Sequence, residues 1–182
     1  MDKTIRTNVN NIHSEDGHEQ NNAYNFLMEK TEKPVSWAYE VWDELFADLK
    51  HKDNHVRAIS SQILSNLAKS DPKEKMLKDF EKLLHVTKDE RFVTARHCMQ
   101  SLWKVGVAGK KQQQIYMAGM EKRFKECIKE KNCTMIRHDI LVSMRNVYNE
   151  VKDESIKEKA LALIEIEKDE KYQKKYKTAW KK

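Results

Sequence analysis

The stretch DNHVRAISSQILSNLAKSDP, residues 53–72, contains the pattern that decides the fold. Its apolar residues recur every three or four positions, at Val56, Ile59, Ile63 and Leu67. This spacing places them on one face of a helix, and the preceding Asp53 is a residue type that caps free amides at a helix N-terminus. The sequence therefore predicts an amphipathic helix whose apolar face has to be covered by another element.

Two later stretches have the same character, DERFVTARHCMQSLWKVG at 89–106 and KNCTMIRHDILVSMRNVY at 131–148. Other amphipathic segments lie between them, and the links that join the segments are short. Helices joined by such short links pack against each other antiparallel. We therefore expect helical hairpins over about 34–69, 72–106 and 109–150.

The composition favours an all-α chain. Its 182 residues include only 4 Gly and 2 Pro, and no stretch alternates β-branched with polar residues as a half-buried strand does. Residues 1–22 are rich in Asn and His and show no periodicity, so we expect a mobile N-terminal arm. Residues 23–182 are predicted to form one domain that ends in a capping helix over 153–180.

The three recurring helices also share a sequence pattern. Residues 53–67 read D-x-x-V-R-x-x-x-x-x-x-L-x-x-L, and the anchor positions Val56, Thr94 and Ile136 are 38 and 42 residues apart. This pattern resembles the second helix of a HEAT repeat, a unit of two antiparallel helices. The resemblance implies a short right-handed α-solenoid of about three HEAT-like hairpins with capping helices. In such a stack each hairpin covers the apolar face of its neighbour.

The resemblance also suggests a role for Arg57 and Arg137, which follow the first apolar anchor of their helices. In HEAT-like proteins the matching arginine bonds to an acidic residue in a link of the same or the adjacent repeat. Asp53 and Asp89 stand where such acids are expected. We therefore interpret these arginines as structural.

The second helices of a HEAT-like stack line its concave face, and polar or aromatic residues there are candidates for partner contact. They are Arg96, Gln100, Trp103, His138, Arg145 and Asn149. The alternative interpretation is an ordinary solvated face, with Trp103 buried between repeats. The prediction is a non-catalytic interaction or scaffold module that binds a protein or peptide.

Nucleic acid is the alternative partner. The net charge is +6, and residues 92–182 hold 21 Lys and Arg against 12 Asp and Glu. Such a basic half favours an anionic ligand. Some DNA glycosylases that excise alkylated bases use a HEAT-like shell with an Asp and aromatic residues, and by analogy Asp139 and Trp103 could take those parts.

Aromatic residues recur every four positions in the tail KYQKKYKTAWKK, at Tyr172, Tyr176 and Trp180, with lysines around them. They share one helix face. The face is either a platform on which bases stack or a stripe that packs on the preceding hairpin.

Other classes of function have little support in the sequence. It contains no phosphate-binding glycine loop and no nucleophile-elbow motif, so we expect no enzyme and no cofactor. Cys98, Cys127 and Cys133 lack the paired spacing of a zinc site, and we expect no metal. An odd number of cysteines, no secretory signal and no membrane-spanning run favour a cytoplasmic protein. The oligomeric state is left open.

Overall fold

The computed structural model describes residues 1–181, and every regular element in that range is helical. The all-α prediction is therefore confirmed. The helices are α1 Lys3–Asn11, α2 Gly17–Lys30, α3 Ala38–Asp48, α4 Asn54–Leu67, α5 Met76–His85, α6 Phe92–Ser101, α7 Trp103–Gly106, α8 Lys110–Glu126, α9 Cys133–Val151, α10 Glu154–Ile164 and α11 Glu170–Ala179. Short 3-10 helices follow α4, α5 and α8 at Ala68–Ser70, Val86–Lys88 and Cys127–Lys129.

The helices contact each other in sequence order. Contacts within pairs join α1 to α2, α3 to α4, α5 to α6, α8 to α9 and α10 to α11. We call the later helix of each pair its second helix. The second helices also contact one another in series, α2 with α4, α4 with α6, α6 with α9 and α9 with α11. The earlier helices α5, α8 and α10 do the same.

The predicted apolar stripe of α4 lies in the core. Val56, Ile59, Ile63 and Leu67 are all buried. Full burial of such a side chain contributes about 1.5–3 kcal/mol. The stripes of neighbouring helices join it in one continuous core that extends from Ile5 to Trp180.

The N-terminal segment differs from the predicted arm. Residues 1–22 contain α1 and the start of α2, with Ile5, Val9 and Ile12 buried. The Asp2 carboxylate caps α1 by accepting a hydrogen bond of 2.9 Å from the backbone N–H of Ile5. These three apolar residues recur at helical spacing and attach the segment to the core. The prediction missed them because it relied on the high Asn content of the segment.

The C-terminal segment is not one capping helix over 153–180 but two helices, α10 and α11. The break lies at residues 165–169, where Asp169 caps α11 by accepting from the backbone N–H groups of Lys171 and Tyr172. The break lets α11 fold back, so Tyr176 and Trp180 are buried. The packing interpretation of the aromatic stripe therefore holds for these two rings.

Candidate functional site

Arginines of three second helices bond to carboxylates of the next pair. Arg57 donates two hydrogen bonds to Asp89, at 2.6 and 2.9 Å. Arg96 donates two to Asp139, at 2.7 and 3.1 Å. Arg137 donates one to Glu167, at 2.9 Å. The pairing expected for Arg57 with an acid of the adjacent unit is thus confirmed, and Asp53 instead caps α4.

Arg96, Gln100 and His138, three of the predicted contact residues, gather around Asp139. The Asp139 side chain is only 5% exposed, whereas that of Arg96 is 36% exposed. Burial acts to raise the pKa of Asp139, but hydrogen bonds from His138, Arg96 and Gln100 outweigh it and hold the pKa below its usual value. Asp139 is therefore a buried carboxylate held in an ion pair with Arg96.

Arg145 and Asn149 belong to a separate cluster that holds α11 on α9. Arg145 donates 2.9 Å to the Oδ1 atom of Asn149 and 3.3 Å to the carbonyl of Trp180. Its guanidinium group lies 5.4 Å from the Trp180 ring centroid and 5.5 Å from that of Tyr148. Such cation–π contacts favour a fixed position for the side chain. Arg145 thus links α9 to the end of α11, and Asn149 holds the Arg145 side chain in place.

Trp103 is not the exposed anchor that the sequence suggested. It opens α7, is half-buried, and packs against the core. The six predicted contact residues thus fall into the Asp139 group, the Trp180 group and Trp103. That they line one partner-binding face stays a prediction.

A groove of about 720 Å³ lies elsewhere, between α2, α4 and the start of α6. We call it the α2–α4–α6 groove. Its apolar wall includes Tyr24, Ile59, Phe92 and Val93, and Gln62 and His97 add polar groups. Val93 is 65% exposed, so its side chain adds accessible apolar surface to this wall. Three consecutive second helices therefore present an open, partly apolar hollow.

The charge around the α2–α4–α6 groove is positive or neutral. Among its lining residues within 1–181, Arg91 is charged, His55, His97 and Tyr24 are titratable, and none is Asp or Glu. Asp53 lies just outside, 3.6 Å from the His55 ring. The Tyr24 hydroxyl donates 3.0 Å to the Gln62 side chain, and burial raises the pKa of that tyrosine. The groove thus combines apolar surface, amide side chains, imidazole rings and one guanidinium group.

Sequence reasoning missed the α2–α4–α6 groove because it treated half of α2 as an arm. One signal was present at the start of α6, where Phe92 and Val93 are adjacent. The apolar stripe of α6 runs through Phe92, Ala95, Met99 and Leu102, and Val93 falls outside that spacing. Phe92 packs on the core and Val93 points away from it.

A second hollow, of about 700 Å³, lies on the side of α3 and α5. Its rim mixes cationic Lys50, Lys82 and Lys88 with acidic Glu81 and Glu90. Arg57 and Asp89 also line it, so seven of its twelve lining residues are charged and an apolar anchor would have to pack among them. It is a weaker candidate than the α2–α4–α6 groove.

Within the part of the chain that the structure describes, no three His, Cys, Asp or Glu side chains converge in a way that could hold a metal ion. None of the helices in that part is both long and apolar enough to cross a membrane. Comparisons with protein-family models, with curated proteins and with solved structures found no match to this chain.

Proposed function

We propose that this chain is a non-catalytic interaction module built as a HEAT-like α-solenoid, and that it binds an extended segment of a protein partner. The serial contacts of the second helices support the solenoid, because each pair then covers the apolar face of the next. The face formed by the second helices would be concave, and the α2–α4–α6 groove lies on it.

The α2–α4–α6 groove is the observation that carries the proposal. Exposed apolar surface in a hollow is the usual place for an anchor side chain of a partner. The amides of Gln20, Asn21 and Gln62 line the same hollow and suit the backbone of an extended peptide. Arg91 in the lining, with no Asp or Glu beside it there, favours a peptide in which an acidic residue flanks an apolar anchor.

The test is a selection from a displayed random-peptide library on the full chain, followed by affinity measurement. We expect the enriched peptides to combine apolar and acidic residues. Val93→Glu should weaken their binding about tenfold or more, because it adds a like charge at the apolar wall. The matched control is Ile128→Glu, since Ile128 is 67% exposed and Val93 65%.

Equal binding by wild type and Val93→Glu would place the contact elsewhere on the surface. Enriched peptides without acidic residues would remove the charge argument. We expect both variants to remain folded, because both positions are exposed. Circular dichroism checks this.

Nucleic acid is the other ligand that the basic half suggests. Lys171, Lys174 and Lys175 on α11 are exposed, whereas Tyr176 and Trp180 are buried and offer no ring faces for bases to stack on. Single-stranded DNA affinity that falls steeply with added salt would favour this ligand. A lack of binding at low salt would exclude it.

A further inference from the structure

Cys127 and Cys133 stand face to face where α8 passes into α9. Cys127 opens the 3-10 helix Cys127–Lys129, and Cys133 is the first residue of α9. Both are free thiols, and their sulfur atoms are 2.8 Å apart. A disulfide bond has a sulfur–sulfur distance of about 2.0 Å. Only a small movement separates the two thiols from a covalent bond.

The two thiols differ in how easily solvent reaches them. Cys127 is fully buried, and burial together with the neighbouring Cys133 thiol raises its pKa to about 12. Cys133 is only half-buried, so a small reagent can reach its sulfur. The third cysteine, Cys98, is fully buried, and burial raises its pKa to about 12 as well. One sulfur of the three is thus placed to react first, and one partner is placed to react with it.

We infer that Cys127 and Cys133 form a dithiol site that small disulfides, such as oxidised glutathione, convert to an intramolecular disulfide. In the first step the Cys133 thiolate attacks one glutathione sulfur, forms a mixed disulfide and releases one glutathione thiolate. In the second step the Cys127 thiolate attacks the Cys133 sulfur and releases the second glutathione. The two cysteines lose two protons and two electrons, which the two glutathione molecules gain.

The geometry favours the second step over retention of the mixed disulfide. The Cys127 sulfur is held beside Cys133 by the helical backbone on both sides, so its attack is intramolecular and has a high effective concentration. The main barrier to this attack is the deprotonation of the buried Cys127 thiol. The guanidinium groups of Arg137 and Arg123 lie close enough to act against that barrier electrostatically.

The new bond would close a loop over residues 127–133 and join the end of α8 to the start of α9. Arg137, one turn into α9, donates 3.2 Å to the Phe124 carbonyl in the last turn of α8. The ends of the two helices are therefore already in contact, and the disulfide would form without a large rearrangement of the fold.

The test exposes the full-length protein to oxidised glutathione, quenches with acid, and reads intact mass and alkylated thiols after unfolding. We expect wild type to lose two hydrogen atoms, carry no glutathione and retain one alkylatable thiol, that of Cys98. Cys98→Ser should oxidise in the same way and retain none. Cys127→Ser should instead hold glutathione on Cys133, because the resolving thiol is missing.

Cys133→Ser gives the order of attack. Its two remaining thiols are buried, so we expect it to react at least tenfold more slowly than wild type while folded. Retention of glutathione by wild type, or equally fast reaction of Cys133→Ser, would overturn the inference. Circular dichroism on each variant separates slow chemistry from loss of fold, and unfolded wild type shows the rate for unprotected thiols.

Discussion

At the scale of residues, Arg57 and Arg137 reach equivalent acids. Asp89 precedes the position of Thr94 by five residues, and Glu167 precedes that of Tyr172 by five. Both acids lie just before the next second helix; the repeat pattern predicted this for Asp89, whereas Glu167 was not among the predicted acids. Each of these two ion pairs thus fixes one second helix to the beginning of the next second helix.

The contact between the second helices α6 and α9 uses a different acid. The acid before α9 is Glu130, and Arg123 of α8 already occupies it with two bonds of 2.6 and 2.7 Å. Arg96 is displaced by one position in the pattern and bonds instead to Asp139 within α9. The sequence showed the displacement, but the partner could not be deduced, because it depends on how the side chains of α8 pack.

The Arg57–Asp89 pair gives a prediction about pH. Burial acts to raise the pKa of Asp89, but bonds from Arg57 and from the Arg91 N–H lower it below the usual value. A depressed folded-state pKa contributes stability that is complete above the unfolded pKa and is lost as the pH falls through the folded one. Asp89→Asn should cost about 3 kcal/mol near pH 7, because it removes the carboxylate charge beside a mostly buried arginine, which keeps only its bonds to the His51 and Lys52 carbonyls.

The difference in free energy of unfolding between wild type and Asp89→Asn should shrink below about pH 4. Urea titrations at a series of pH values measure it, with the exposed Asp43→Asn variant as the baseline. A difference that stays constant from pH 7 down to pH 2 would show that the carboxylate charge is not what matters.

At the scale of elements, the apolar periodicity predicted which segments are helical, and local polar contacts decided where they begin and end. Asp71 and Pro72 read as a helix start, yet α5 begins at Met76. The Asp71 carboxylate accepts from the backbone N–H groups of Lys75 and Met76, and its other partner is the Tyr39 hydroxyl. The tyrosine lies on another helix, so the sequence alone could not reveal this longer turn.

The end of α9 gives a prediction at this scale. Lys152 closes α9 in the left-handed region, with φ 54° and ψ 32°, where a side chain is disfavoured. Lys152→Gly should therefore raise the free energy of unfolding by about 0.5–1 kcal/mol.

Lys152→Ala is the matched control, because it removes the same charge and keeps a Cβ atom. It should bring no gain in a urea or thermal unfolding experiment. Equal stabilisation by both variants would assign the effect to the lysine side chain and not to the backbone conformation.

At the scale of the whole molecule, the periodicity predicted an all-helical chain of stacked pairs, and the two ends were the weakest part of that prediction. Both ends form additional helix pairs. Their apolar residues are sparse, because a terminal pair has only one neighbour to cover. This is why the sequence did not predict the α2–α4–α6 groove, since α2 forms one of its walls.

The proposed solenoid predicts that stability is local, because each helix pair contacts only its neighbours. The buried Trp180 packs α11 on α9, and its indole N–H donates 3.2 Å to the Leu141 carbonyl. Trp180→Ala should cost about 3–5 kcal/mol. In hydrogen exchange we expect faster exchange in α9 and α11 and unchanged protection in α1 and α2.

Leu161→Ala serves as the control, because Leu161 is 40% exposed on the neighbouring α10. It should leave exchange nearly unchanged everywhere. A uniform loss of protection along the chain in Trp180→Ala would indicate a single closed core and would contradict the solenoid.

The α2–α4–α6 groove has walls from three successive helix pairs, and this has a mechanical consequence. A ligand lying along it would bridge the two interfaces between these three pairs. It would fix the angles between those pairs while the pairs that follow stayed free to flex. Ligand binding in this groove would thereby fix the arrangement of the first three helix pairs. The ligand would place no constraint on the pairs that follow.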